Sequence, residues 1–210
     1  QLAIQLRWPT ALVKLFLFLE RFIVRNVDYL VALAPNILEH YSTYNTRTAL
    51  IPVFVDTDLY RPLAKSPGSN DSKRVGIIGP FVINDARKKE HLHFLYSNLE
   101  KFDRRRRLVV IGQCSERIQN ARIEYTGYID STEAYADLLA RLDAVIVPEK
   151  TATTGPLNKI IEPMSCSVPV FTTPQGMVGL YWVESYKDLL VFEENELVSK
   201  MNELIFDNAL

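Results

Sequence analysis

The stretch TGPLNKIIEPMSCSVPVFTT, residues 154–173, joins a short helical segment to a β-branched, strand-like run. It places Gly155, Lys159 and Glu162 just ahead of that run. A helix that only packs against a core needs none of these three residues. A helix whose start binds an anion can use them, because glycine allows a sharp turn and the first N–H groups have no intrahelical partner. The segment therefore predicts an anion-binding helix that leads into a buried strand, with Pro156 at the first helical position.

Similar strand-like runs recur on both sides of this stretch and alternate with helical segments. A helix is predicted for about residues 86–101, another for 131–142, and a last one from Glu194 onward. Short β-branched runs separated by helices are typical of a parallel sheet with helices on both faces. The sequence thus predicts an α/β, Rossmann-like fold, whose strands are RVGIIG (74–79), RLVVIG (107–112), RIEYTG (122–127), DAVIVP (143–148), VPVFTT (168–173) and LLVF (189–192).

The chain is predicted to contain parts of two domains. Two strand-like runs, VDYLVALAP (27–35) and TALIPVF (48–54), precede a polar stretch rich in Pro, Ser, Gly and Asn at 61–73. Such composition marks a linker. The expected division is therefore the end of an N-terminal domain at 1–55, a linker at 56–73 and a C-terminal domain at 74–210.

Composition narrows the class of protein. The 210 residues carry a net charge of -1, which gives no overall attraction to nucleic acid. Cys114 and Cys166 are expected to be buried free thiols, since they show no paired or metal-binding spacing. His91 and His93 lie two apart on a predicted helix, hence on different faces, which disfavours a shared metal site. No signal peptide pattern is visible, and the apolar run 15–19 is too short to span a bilayer, so we expect a cytoplasmic location.

An amphipathic helix is predicted from Pro9 to about Arg25. Its apolar residues recur at helical spacing, and Lys14, Arg21 and Arg25 share the opposite face. One interpretation is a helix that packs on a core through this stripe and exposes a basic back. The other is an interfacial helix that rests on anionic lipid, which would make the protein peripheral at the inner face of a membrane. The apolar stripe consists of Leu12, Leu15, Phe16, Leu19, Phe22 and Ile23.

The four arginines Arg104–Arg107 lie between a predicted helix end and a strand. Cations at that place complement the negative end of the helix dipole, which favours a solvated turn. A phosphate-binding or membrane-binding patch is the alternative.

Three predicted strands end in glycine, at Gly79, Gly112 and Gly127, and a fourth leads into the loop before Gly155. Together with VDYLVALAP, LIPVFVDTDLYRP and KIIEPMSCSVPVFTT, this order resembles the group 1 glycosyltransferases of the GT-B fold, which are nucleotide-sugar enzymes with two facing Rossmann-like domains. The resemblance covers nearly the whole chain from Asp28 and is best over residues 145–173. It corresponds mainly to the C-terminal, donor-binding domain of that family.

The resemblance implies roles for individual residues. It implies that Glu162 holds the ribose hydroxyls of the donor nucleotide, and that the backbone of Gly155, Pro156 and Leu157 cradles the diphosphate. Further donor-binding positions implied by the resemblance or by the segment itself are Gly79 in the first glycine loop, Arg87 and Lys88 as a basic pair for the diphosphate, Tyr128 and Ile129 near the base, and Thr154 and Lys159 beside the helix start. For Arg87 to Lys89, a solvated helix start remains an equal alternative.

The sequence also departs from the family pattern. Thr154 stands where the family often carries a second glutamate, eight residues before Glu162. Ala34 replaces a serine, and Val53 and Phe54 replace an asparagine and a glycine. Only the last elements of an acceptor-side domain are recognisable, so the chain is interpreted as a fragment that is inactive alone and lacks nameable acceptor-side catalytic residues.

The pair Asp56-x-Asp58 suggests a different site. In the other large glycosyltransferase fold, a D-x-D motif holds a divalent metal, and paired carboxylates are suitable ligands for Mg²⁺ or Mn²⁺. The same letters fit the GT-B linker pattern VDTDLYRP, and the residues that follow form a polar linker. The sequence therefore favours a site without metal and without a resident cofactor.

The leading hypothesis is a hexosyltransferase-type enzyme. It would transfer a sugar from a UDP- or GDP-linked donor to a glycan or lipid-linked acceptor, with retention of configuration and without metal. The alternative is a non-catalytic nucleotide-sugar-binding module, which Thr154 favours slightly. A receiver or flavodoxin-like signalling domain ranks last, because VGIIGPF (75–81) offers no acidic cluster at its strand end.

Overall fold

The computed structural model describes residues 9–64, 72–81, 86–150, 155–180, 193 and 195–206, the side chains of 86–88 and 204–206 excepted. The chain separates into two compact units, Gln1–Val53 and Phe54–Leu210. The predicted division at 55 and 73 stays a prediction. Residues 56–60 form a turn within the second unit, where Ser165 Oγ donates a hydrogen bond of 2.7 Å to the Tyr60 carbonyl.

The first unit contains two helices and a two-stranded parallel sheet among its described residues. Helix α1 spans Thr10–Asn26, strand β1 Leu30–Ala32, helix α2 Pro35–Ser42 and strand β2 Thr48–Leu50. Leu30, Val31 and Ala32 pair in register with Thr48, Ala49 and Leu50. Asn45 fixes the end of α1, since its side-chain amide donates to the carbonyls of Val24 (2.8 Å) and Val27 (2.9 Å).

Helix α1 does not bury the apolar stripe that the sequence predicted as its core-facing side. All six stripe residues are exposed, and Phe18 beside them is 65% exposed. The buried position is Val24, and Glu20 bonds to the Tyr41 hydroxyl. The guanidinium groups of Arg21 and Arg25 lie over the Tyr44 ring, 5.4 and 5.9 Å from its centroid. Within the described residues, no helix is long and apolar enough to cross a bilayer.

The second unit contains a five-stranded parallel sheet of order β5-β4-β3-β6-β7. This arrangement confirms the predicted α/β, Rossmann-like fold, with strand positions close to those predicted. Its elements in chain order are β3 (Lys73–Ile78), α3 (Ala86–Asn98), a 3-10 turn (Leu99–Lys101), β4 (Arg106–Ile111), β5 (Ile123–Gly127), α4 (Thr132–Ala140), β6 (Ala144–Val147), α5 (Asn158–Ser165), β7 (Val170–Thr172) and α6 (Leu197–Phe206).

The core of this unit follows from the continuous apolar character of its central strands. All four residues of β6 are buried, as are Val75, Gly76 and Ile77 of β3. Strands buried on both faces need such runs, because helices cover both sides of a parallel sheet. Leu92 and Leu95 of α3 pack into this core together with Met201 of α6.

The four arginines Arg104–Arg107 form the predicted solvated turn only in part. Arg106 does not belong to a solvated turn, because it is buried and its guanidinium donates a 2.8 Å hydrogen bond to the Met201 carbonyl in α6. Arg105 is exposed and pairs with Asp103, as a solvated turn would have it. The strand predicted at 189–192 lies outside the described residues.

The strand order reverses between β3 and β6, the two neighbours at the centre of the sheet. From β3 the chain moves outward to β4 and β5, then returns to β6 and continues to β7. Ligands of open α/β sheets bind beyond the carboxyl ends of the strands at such a reversal. The residues after β3 and β6, and the starts of α3 and α5, are therefore where a site is expected.

Candidate functional site

Helix α5 begins beside the carboxyl end of β6, as the sequence predicts, but two residues later than expected. Its first helical residue is Asn158 and its N-cap is Leu157, so Pro156 precedes the helix. A leucine side chain cannot accept a hydrogen bond, and no side-chain cap is present among the described residues. The first N–H groups of α5 have no intrahelical partner, which leaves them suited to an anion.

The approach to α5 is shaped by Gly179, in the turn region after β7. Gly179 has φ +87°, in the left-handed region that favours glycine. A Cβ atom on Gly179 would lie 2.7 Å from Pro156 Cδ and 3.0 Å from the Gly155 carbonyl carbon. The backbone of Gly155 and Pro156 is therefore held against Gly179, and residues 155–157 are half-buried.

Glu162 lies one turn into α5 and faces helix α4. Its carboxylate accepts a 3.2 Å hydrogen bond from the Tyr135 hydroxyl, and the Tyr135 ring packs edge-on against Tyr60. Burial raises the pKa of Glu162, while the bond from Tyr135 opposes that shift. Burial, with the nearby Glu162 charge, also raises the pKa of Tyr135, so its hydroxyl stays a donor. The Glu162 carboxylate is therefore oriented by a neutral donor, with no cation paired to it among the described residues.

Lys159 lies on the same face of α5, three residues before Glu162. Its ammonium group pairs with the Glu149 carboxylate, and both side chains are largely buried, 20% and 13% exposed. On the other side of Glu149, Oε2 lies 3.6 Å from His91 Nε2 of α3. Burial, the main influence, lowers the pKa of His91, and the charge of Glu149 opposes that shift. Residues from α3, from α5 and from the segment after β6 thus meet at the carboxyl end of the sheet.

The other predicted donor residues occupy varied positions. Position 79 has no room for a side chain, because a Cβ atom on Gly79 would lie 2.7 Å from the Phe81 ring. Tyr128 is 72% exposed directly after β5, and Ile129 is half-buried. Arg87 and Lys88 lie in the first turn of α3, and Thr154 lies outside the described residues. Gly155, Pro156, Leu157, Lys159 and Glu162 lie together at the start and along the first turns of α5. The donor-binding roles of these five residues, like those of the others, stay predictions.

The D-x-D pair has a local structural role. Asp56 Oδ1 accepts hydrogen bonds from the Asp58 N–H (3.0 Å) and the Leu59 N–H (3.3 Å), so it closes its own turn. Asp58 also lines a surface groove of about 320 Å³ between residues 58–63 and α4. That groove contains none of the predicted donor residues. In the part of the chain that the structure describes, no three His, Cys, Asp or Glu side chains cluster as a metal site.

Four residues of the site were not predicted from the sequence: His91, Tyr135, Glu149 and Gly179. His91 and Tyr135 come from helices that follow other strands, and only the packing of those helices brings them to α5. The sequence position of Glu149 was a weak indication of a site residue. Glu149 follows Pro148 at the end of a predicted strand, and ligand-binding residues of α/β sheets concentrate there. Gly179 falls in a region for which no element was predicted.

Solved structures with the same fold were identified. HepE of Anabaena, solved with UDP and glucose, has a TM-score of 0.60 at 17% identity over 86% of this chain and 54% of its own. A variant of TarM from S. aureus, solved with UDP and α-GlcNAc-glycerol, has a TM-score of 0.64 at 16% identity over 89% and 39%. The C-terminal domain of a group 1 family glycosyl transferase, LpcC from Francisella tularensis, has a TM-score of 0.53 at 18% identity over 72% and 88%.

These matches define the class: the chain has the fold of a GT-B glycosyltransferase and spans about half the length of HepE. A search of curated proteins gives no match. The sequence profile of the glycosyl transferases group 1 family matches residues 72–207, more than half of the chain. The chain therefore belongs to the glycosyl transferases group 1 family, and the resemblance seen in the sequence is confirmed.

Proposed function

We propose that residues 54–210 bind the nucleotide-diphosphate donor of a hexosyltransferase. The observation that carries this proposal is the convergence on α5: an uncapped helix start after Gly155 and Pro156, with Lys159 and Glu162 on one face behind it. In this arrangement the diphosphate lies against the first N–H groups of α5, and Glu162 accepts hydrogen bonds from the ribose hydroxyls. Tyr135 orients Glu162 for that task.

The donor is proposed to be UDP-linked rather than GDP-linked. Support comes from the fold relatives HepE and TarM, which were solved with UDP. The reaction proposed is transfer with retention of configuration and without metal, to a glycan or lipid-linked acceptor. The helix start and the Lys159 ammonium would stabilise the charge that the departing diphosphate gains in the transition state. The acceptor-side groups belong to the other domain of such enzymes, so this chain alone is proposed to be inactive.

Calorimetric titration of the 210-residue chain with UDP, GDP and ADP tests the donor site. UDP is expected to bind best, and Glu162→Ala is expected to weaken it by about tenfold or more, since a hydrogen bond to a charged group contributes about 1.5–3 kcal/mol. Glu133→Ala is the matched control, because Glu133 is an exposed glutamate on α4 that bonds to Ser131. Equal affinity of wild type and Glu162→Ala would exclude the ribose role. No binding of any nucleotide would exclude the donor site.

Metal independence and retention have separate tests. UDP affinity is expected to be unchanged by EDTA, and a large loss would contradict the proposed metal-free site. Transfer by the full-length enzyme, followed by proton NMR of the new anomeric centre, would distinguish retention from inversion. The alternative, a non-catalytic nucleotide-sugar-binding module, predicts UDP binding without transfer by that same full-length protein.

A cytoplasmic protein at the inner face of a membrane is proposed on the basis of α1. Its apolar stripe is exposed, which suits an interfacial helix, and Lys14 lies on the same helix. Arg21 and Arg25 lie over Tyr44 but remain exposed. Flotation with liposomes that contain anionic lipid is expected to exceed flotation with neutral liposomes. Equal flotation would contradict the proposed contact.

A further inference from the structure

The carboxylate of Glu149 is held firmly at the carboxyl end of β6. The Glu149 N–H donates to the Val147 carbonyl (3.0 Å), and its carbonyl accepts from Thr173 Oγ1 (2.5 Å) after β7. These bonds fix the backbone from both sides. The side chain is 13% exposed, with Oε1 on the Lys159 ammonium and Oε2 facing His91.

This position is the reversal point of the strand order. His91 lies on the helix that follows β3, and Lys159 lies on the helix that follows β6. Glu149 therefore lies between the helices of the two central strands, at the edge where ligands of such sheets bind. The same helix, α5, carries Glu162 one turn further on.

Fold stability does not account for this buried pair. Removing a lysine and a carboxylate from water costs free energy that their attraction only partly returns, so a buried ion pair is often no more stabilising than apolar residues. Other ion pairs of this unit, such as Arg141–Asp137 and Arg105–Asp103, have more exposed partners. The Lys159–Glu149 pair lies at the carboxyl end of the sheet, where ligands bind. Its position is better explained by a ligand that contacts the lysine ammonium at a fixed position.

We infer that Glu149 is a positioning residue, which holds the Lys159 ammonium where a diphosphate binds at the start of α5. An ammonium group has three N–H donors, and the bond to Glu149 uses one of them. Lys159 can therefore contact a phosphate oxygen without leaving Glu149. His91 flanks the second carboxylate oxygen at 3.6 Å, which is too long for a hydrogen bond, so Lys159 is the partner that Glu149 fixes. This inference rests on the proposed donor site.

A double-mutant cycle with UDP and uridine tests the inference on the 210-residue chain. Titrations compare wild type, Glu149→Gln, Lys159→Met and the double variant. When Lys159 is present, Glu149→Gln is expected to lower the UDP affinity about tenfold. A loss of this size corresponds to one charge-assisted hydrogen bond. In the Lys159→Met background, Glu149→Gln is expected to change the UDP affinity by less than about twofold, or to raise it. Without the lysine, the Glu149 carboxylate only repels the diphosphate, and Glu149→Gln removes that repulsion. Uridine, which lacks phosphates, is expected to bind equally to all four proteins.

The outcomes separate this inference from the proposed function. If wild type binds UDP and Glu149→Gln has the same effect with and without Lys159, the positioning role is wrong and the donor site stands. If uridine binding falls with UDP binding, Glu149 is only structural. If wild type binds no UDP, both proposals fail. Should Glu149→Gln not fold, Glu149→Asp carries the same comparison, because it keeps the charge and withdraws the carboxylate by one methylene group.

Discussion

At the scale of single residues, Glu162 experiences two opposing influences on its pKa. Burial raises the pKa, and the hydrogen bond from Tyr135 lowers it. Because only the ionised carboxylate accepts two ribose hydroxyls, UDP affinity is expected to fall on acidification at a pH above the ordinary glutamate pKa of 4.5. Tyr135→Phe is expected to move this fall to a still higher pH and to weaken UDP by about two- to tenfold, which a pH series of titrations measures.

Tyr60→Phe is the control variant, because it removes a hydroxyl beside Tyr135 and keeps the contact between the two rings. Tyr60 contacts Tyr135 edge-on, so its substitution preserves the aromatic contact and the bond to Glu162. A pH profile that is identical in wild type and Tyr135→Phe would show that Glu162 does not titrate in the nucleotide site.

His91 links the site to the stability of the fold. In the folded chain burial lowers the His91 pKa, Lys159 and Lys150 act in the same direction, and Glu149 and Glu90 act against it. The folded state therefore binds fewer protons than the unfolded state, and stability is lost as the pH falls below the ordinary histidine value of 6.5. His91→Gln is expected to lose less stability on acidification than the wild type. The measurement is the change of the urea midpoint between about pH 7.5 and pH 5.

His93 provides a matched control on the same helix. It is exposed and contacts Glu116 at 2.9 Å, whereas His91 is buried. The variant His93→Gln is expected to lose nearly as much stability on acidification as the wild type. Parallel pH profiles for wild type and His91→Gln would contradict the assignment to His91.

The sequence predicted that Lys159 and Glu162 lie on one helix, but it did not predict which side chains of other elements contact them. Lys159 and Glu162 share a helix, so their spacing alone places them on one face. Glu149, His91 and Tyr135 reach them only through packing between helices that follow different strands. A single sequence contains no signal for which side chains of separate helices meet, and the partners of Lys159 and Glu162 were therefore missed.

At the scale of elements, the start of α5 depends on a close backbone approach at Gly179. Gly179→Ala combines two penalties, because its φ of +87° is unfavourable for alanine and its Cβ would clash with Pro156. The left-handed conformation alone costs about 1–2 kcal/mol. Displacement of Gly155 and Pro156 is expected to add a loss of UDP affinity of about tenfold, measured by calorimetry.

Gly127→Ala separates the two penalties. Gly127 has φ +71°, and among the described residues beyond its chain neighbours no atom lies within 4 Å of the position that a Cβ would take. The substitution therefore adds strain without a clash. It is expected to lower stability and to leave UDP affinity closer to wild type. If Gly127→Ala and Gly179→Ala weaken UDP equally, the contact with Pro156 does not shape the site.

The elements themselves were predicted well where an apolar run was continuous. β3, β4 and β6 contain the buried runs Val75–Ile77, Leu108–Ile111 and Ala144–Val147, which appear in the sequence as continuous runs without polar residues. The start of α5 was placed two residues early, because proline suits both the first helical position and the residues just before a helix. The stripe of α1 has a clear helical period, yet the period does not tell which face is covered.

At the scale of the whole molecule, the proposed donor site lies entirely within the second unit. Every residue assigned to it follows Phe54, where that unit begins. A protein of residues 54–210 is therefore expected to bind UDP within about twofold of the 210-residue chain, since a compact unit with its own core can fold alone. Loss of UDP binding by a folded 54–210 protein would show that residues 1–53 contribute to the site.

The family assignment was predictable because it rests on the order of many short motifs. The strand-end glycines and the KIIEPMSCSVPVFTT segment follow one another in this chain in the order of the strands that they end or begin. Donor base, sugar and acceptor were not predictable, because the segment 154–173 points to a diphosphate and a ribose, which UDP- and GDP-linked donors share. They remain proposals.

The two-stranded sheet of the first unit has a consequence for how the protein melts. Two parallel strands with two helices form a marginal cooperative unit, whereas five paired strands around a shared core form a strong one. A calorimetric scan should then show a weak, early heat-absorption step followed by a larger one. Nucleotide should shift only the later step, so no single melting temperature would describe the chain.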